Sequence, residues 1–114
     1  MARNLAVACE DILTAIDRIG ETTRAMSLDR FASDWRAQYI VERALLIVSE
    51  ASRAIPNALK ARHAEIRWVG VRDIGNVLRH QYATLSAPLI WNVIQDELPR
   101  LRRAVESIRM TLDR

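Results

Sequence analysis

The stretch Trp68-Val69-Gly70-Val71-Arg72-Asp73-Ile74-Gly75-Asn76-Val77-Leu78-Arg79-His80-Gln81-Tyr82 decides how the rest of the chain is read. At about 100° per residue it divides into two faces. Trp68, Val71, Ile74, Leu78 and Tyr82 make an apolar stripe that requires a core. Arg72, Asn76, Arg79 and His80 fall on the other side, with Asp73 at its edge. A solvated helix face is usually Glu and Lys. This one collects guanidinium, amide and imidazole groups, which bind phosphate and move protons. An arginine-rich chain also produces such a face by composition alone, so both readings stand at this point.

Outward from this helix, the chain reads as all-α and as one domain over residues 1–114. Half of its residues are hydrophobic and only three are Gly and three Pro, so breakers are scarce. A first helix is expected from about Arg3 to Thr22, with Leu5, Cys9, Ile12, Ile16 and Ile19 forming a narrow seam. Ser27 reads as the cap of a short turn, Leu28 to Phe31. A second long helix follows from Asp34 to Ala54, capped by Ser33 or Asp34 and stopped by Pro56. Its apolar residues, Tyr39, Ile40, Ala44, Leu45, Ile47, Val48 and Ala51, spread over more than one face, which predicts a central helix. Residues 56–66 form a connector with room for one helical turn.

The final helix is expected from Ser86, with Pro88 in its first turn. Trp91, Ile94, Leu98, Leu101, Val105, Ile108 and Leu112 carry its stripe, and Pro99 should kink or split it. The result is an antiparallel four-helix bundle with a short extra helical turn and a last helix bent near Pro99.

Composition limits function loosely. Seventeen Lys plus Arg against 14 acids give a net charge of +3, which permits nucleic acid as a partner without requiring it. The longest apolar run, Ala44 to Val48, is far too short to cross a bilayer, and the N-terminus lacks the apolar segment of a signal peptide. A lone Cys9 forms no internal disulfide and fits a reducing cytoplasm. No Gly-rich phosphate loop, zinc-type Cys/His spacing or Gly-x-Ser-x-Gly turn is present. Asp96 and Glu97 are consecutive on a helix and face apart. His63 has no metal-ligand spacing to a partner and reads as a surface histidine. No metal and no cofactor are expected. The helix over 68–82 is the remaining chemical face.

Trp68-x11-His80-x-Tyr82, with Gly75-Asn76-x-Leu78-x-His80 inside it, resembles the motif helix of the HepT-like proteins of the HEPN superfamily. That family reads Trp, then Arg-Asn-x-x-x-His-x-Tyr; Trp68, Asn76, His80 and Tyr82 match, and Gly75 stands where the family has its arginine. The family also carries a Gly-Glu pair where this chain has Ser49-Glu50, and a Trp followed by Leu-Pro-x-Leu in its last helix, matched here by Trp91 and Leu98 to Leu101. The resemblance extends from about Phe31 to Ile108 and is weakest over the first helix.

The resemblance implies a toxin of a type VII-like toxin–antitoxin pair: a homodimeric, metal-independent endoribonuclease that cuts RNA in a cleft between subunits. His80 would act as base or acid, Asn76 would hold the phosphate or the ring, and Arg72 or Arg79 would supply the charge that the family takes from position 75. It further implies a nucleotidyltransferase antitoxin of the MNT type that adds AMP to a motif tyrosine, here Tyr82. Because Gly75 replaces the arginine, a non-catalytic HEPN dimerisation and binding module is the alternative. Glu50 either pairs with an arginine at the surface or orients a motif side chain. Gly75 itself, inside a helix, implies close approach of a neighbouring helix or of the second subunit.

Overall fold

The computed structural model describes residues 4–81 and 86–112, the side chains of 79–81 excepted. It is all-helical, with no strand among the described residues. α1 spans Leu5–Thr23, a start two residues later than the periodicity predicts, because Asn4 caps it. The Asn4 side-chain oxygen accepts from the Ala6 amide at 2.8 Å, satisfying a donor that has no partner inside the helix. The predicted seam is buried at Cys9, Ile12, Ile16 and Ile19.

Ser27 caps the short α2, Leu28–Ala32, as its position predicts, and accepts from the Arg30 amide at 3.2 Å. Phe31 is fully buried and lies 5.5 Å, centroid to centroid, from Trp91 of the last helix. The Gln38 side-chain amide closes the corner into α3 by donating to the carbonyls of Phe31 and Ala32, at 2.8 and 3.0 Å. Of the two candidate caps for α3, Trp35–Ser52, Asp34 serves: it accepts from Ala37 N at 3.0 Å.

α3 is central, packed against α1 on one side and α5 on the other. Its apolar arc is not all interior, however. Tyr39, Ile40 and Ile47 are exposed, because two neighbouring helices cover only part of a helix's circumference. The connector holds the short α4, Asn57–Ala61, and leads to α5, Trp68–Gln81.

Ser86 caps α6, Ala87–Asn92, and accepts from Leu89 N at 3.3 Å, with Pro88 in the first turn. The expected break follows as a π-helical turn, Val93–Glu97, before α7, Leu98–Leu112. Here the Leu98 amide reaches back five residues to the Val93 carbonyl. Pro99 has no N–H to offer the Gln95 carbonyl, and its ring would clash with that carbonyl in a regular helix. The wider turn relieves the conflict. α7 packs on α1, and the ion pairs Arg102–Asp17 and Arg109–Glu10 cross that seam.

Candidate active face on helix α5

α5 is amphipathic in the sense its period predicts. Leu78 is buried, Trp68, Val71 and Ile74 are partly buried against the core, and Arg72 and Asn76 are exposed on the outer side. Trp68 is more than a stripe residue. Its indole Nε1 donates to the carbonyls of both Lys60 and His63, at 3.1 Å each, and so ties the connector to the first turn of α5.

The turn that presents Arg72 and Asn76 is pinned from outside the helix. Ser49 of α3 is buried, and its hydroxyl donates to the Arg72 carbonyl at 2.6 Å while accepting from the Gly75 amide at 3.2 Å. Gly75 is buried at this contact, which fits close approach of a neighbouring helix, one of the two uses foreseen for it.

Arg72 contacts its sequence neighbour: Nε lies 3.2 Å from Asp73 Oδ1, in a pair about half exposed on both sides. A pair so exposed contributes only about 0.2–1 kcal/mol, and a phosphate displaces it at little cost. Along the axis, Arg72 and His80 are eight residues, or about 12 Å, apart. The side chains of Arg79 and His80, and the whole of Tyr82, lie outside the described residues.

Lys60, which sequence reasoning passed over, belongs to this neighbourhood. Burial holds its ammonium below the usual 10.5, and the guanidinium groups of Arg72 and Arg53 lower it further. The Lys60 Nζ also lies 5.8 Å from the centre of the Trp68 ring. The two guanidinium groups thus disfavour the charge on Lys60, a repulsion that a bound anion would relieve. The available signal was that Lys60 is the single lysine in a chain of arginines.

Two other candidates resolve. Glu50 is exposed and faces Arg53, with Oε2 to Nε at 3.8 Å, the arginine-paired reading of this carboxylate. His63 lies at the surface but is partly covered: its side chain is 18% exposed, its Nδ1 is 3.9 Å from Glu65, and its carbonyl accepts from Trp68. Among the described residues, no three His, Cys, Asp or Glu side chains are grouped to hold a metal ion, and no helix is long and apolar enough to cross a membrane.

The family model described as "Ribonuclease HepT-like" matches residues 12–108, which takes in the α5 face, the Ser49 contact and the π-turn. The chain belongs to the HepT-like family. It is 36% identical over 100 residues to "Probable ribonuclease HepT" of Thermococcus cleftensis, covering 88% of this chain and 91% of that protein. It is 27% identical over 106 residues to "Putative RNase MJ1380" of Methanocaldococcus jannaschii, covering 93% and 97%. No solved structure matches. Membership of the HepT-like family, with relatives named as ribonucleases over nearly their full length, supports a ribonuclease function for this chain.

Proposed function

We propose that this chain is a metal-independent HepT-like endoribonuclease that works as a homodimer with its α5 faces turned toward a shared cleft. The observation that carries the reading is the outer face of α5, where Arg72 and Asn76 are exposed on a turn fixed by Ser49. A base removes the proton of an RNA 2′-hydroxyl, and the oxygen attacks the adjacent phosphorus. The 5′-oxygen leaves with a proton from an acid, giving a cyclic 2′,3′-phosphate. His80 acts as base or acid, Asn76 holds the phosphate, and Arg72 or Arg79 stabilises the charge on the phosphoryl oxygens. Val69 and Leu89, both exposed apolar residues on α5 and α6, suit a dimer contact.

The reading includes a cytoplasmic nucleotidyltransferase antitoxin of the MNT type. The Tyr82 phenolic oxygen would attack the α-phosphorus of ATP, releasing pyrophosphate and the phenolic proton and leaving AMP on the tyrosine. Purified protein incubated with single-stranded RNA in EDTA tests the core of this reading. Cleavage by the wild type, lost in His80→Ala, is the expected result; intact RNA with the wild type overturns it. The second reading, a binding module without catalysis, is favoured by Gly75: at that point α5 offers backbone to α3 where the family pattern has a guanidinium.

A further inference from the structure

We propose that the exposed Trp35–Tyr39 pair of α3, flanked by Arg36 and Arg43, is a stacking platform for single-stranded RNA beside the α5 face. This rests on the ribonuclease reading for its substrate class. Trp35 and Tyr39 are 61% and 64% exposed as residues, an arrangement that contributes little to the fold. They stand one helical turn apart, centroids 5.5 Å from each other and planes at 72°. The Arg36 guanidinium lies 5.3 Å from the centre of the Trp35 ring. A largely exposed ring with a guanidinium over it can accept a base by stacking while the cation meets the phosphate.

The platform adjoins the α5 face because of the contact that aligns the two helices. Trp35 and Tyr39 lie about 40° and 80° around α3 from Ser49, the residue turned toward α5. Tyr39 is ten residues before Ser49, or about 15 Å along the axis, and α5 runs antiparallel, so its last turn ends about 9 Å from Gly75 in the same direction. Along the axis Tyr39 is thus about 6 Å, and Trp35, fourteen residues before Ser49, about 12 Å, beyond the end of α5 that carries positions 79–81. Tyr39 and Arg43 also form one wall of an open groove of about 520 Å³ between α3 and α1, with Arg18 among the lining residues.

Arg36 and Arg43 are exposed on this side of α3 and offer a polyanion two guanidinium contacts. The acids nearby are the half-buried Glu42, Asp34 at the helix cap, Asp11 in the lining of the groove, and Glu21, 3.7 Å from Arg18. A base stacked on an aromatic needs no particular sequence, which suits a site that holds a strand rather than reads it.

The test is fluorescence anisotropy with a labelled single-stranded 2′-O-methyl oligonucleotide, whose blocked 2′-oxygen prevents cleavage. Trp35→Ala and Tyr39→Ala should each weaken binding about tenfold, and Trp35→Phe and Tyr39→Phe should retain most of it. Arg36→Gln and Arg43→Gln should each reduce the slope of log affinity against log salt by about 0.7. Unchanged affinity in both alanine variants, or no binding by the wild type, overturns the proposal. So do alanine variants that bind normally but sediment as a smaller species, because the patch is then a protein interface. A chain that binds this strand through the two rings but cuts no RNA in EDTA keeps the platform and loses the ribonuclease reading.

Discussion

The Ser49 hydroxyl accepts from the Gly75 amide at 3.2 Å, across two helices and 26 residues of sequence. The two positions therefore act as one unit. Gly75→Arg places a long side chain at a buried backbone contact, and overpacking of this kind costs about 1–3 kcal/mol. Ser49→Gly in the same chain makes room and should recover part of that loss. Urea denaturation of both single variants and the double variant should show a coupling of about 0.5 kcal/mol or more; additive effects would mean that the contact is not shared.

Arg72 and Arg79 are separable by kinetics. If Arg72 supplies the transition-state charge, Arg72→Ala lowers kcat about a hundredfold or more with KM nearly constant, and Arg79→Ala raises KM alone. The reverse pattern assigns the charge to Arg79. Steady-state cleavage of a defined RNA in EDTA distinguishes the two.

Trp68 joins the connector to α5 through two carbonyls, at 3.1 Å each. Trp68→Phe keeps the ring's packing and removes both bonds, and it should cost about 1–2 kcal/mol. Hydrogen exchange should accelerate first over residues 57–66. Uniform loosening of the whole chain would instead mark a global packing defect.

Burial raises the Glu42 carboxyl above its ordinary 4.5. The folded chain then binds this proton more tightly than the unfolded chain. The stability so gained is complete below 4.5 and is lost as pH rises through the folded value. Glu42→Gln removes the dependence, so its stability relative to wild type should improve as pH rises from below 4.5 toward neutrality. Denaturation midpoints measured across that range check the sign.

Cys9 is fully buried, and burial pushes its thiol up, with Arg109 opposing. The native protein should resist alkylation at neutral pH and react within minutes once unfolded in urea. Fast labelling of the folded chain would show that α1 opens.

Much of this architecture was legible because helices announce themselves locally. Asn4 went unrecognised as a cap, but Ser27, Asp34 and Ser86 occupy cap positions that sequence alone marks, and Pro99 marks the break. The two faces of α5 follow from its period. Which residue of one helix meets which of another does not, and so the Ser49–Gly75 contact had no local signature. Tyr39, Ile40 and Ile47 count as apolar in any periodicity, yet they lie outside the arc that α1 and α5 cover. Lys60 reached the candidate site only because the connector folds back under Trp68. The side chains of Arg79 and His80, and Tyr82, lie outside the described residues.

The π-turn at Val93–Glu97 gives the last helix one residue more than a regular turn would hold. That surplus makes the segment a place where chain length is negotiable. Combined with Pro99→Ala, which removes the ring that a regular turn could not accommodate, deletion of one residue between 93 and 97 would restore an ordinary helical pitch while leaving the inward sides of α6 and α7 still aimed at α2 and α1. The same deletion two turns later, in α7, would rotate everything after it by about 100° and point Val105 and Ile108 away from the core. Homologues that differ in length by a single residue should therefore carry the difference here, and a chimera joined at this turn should tolerate a mismatch that the neighbouring turns would not.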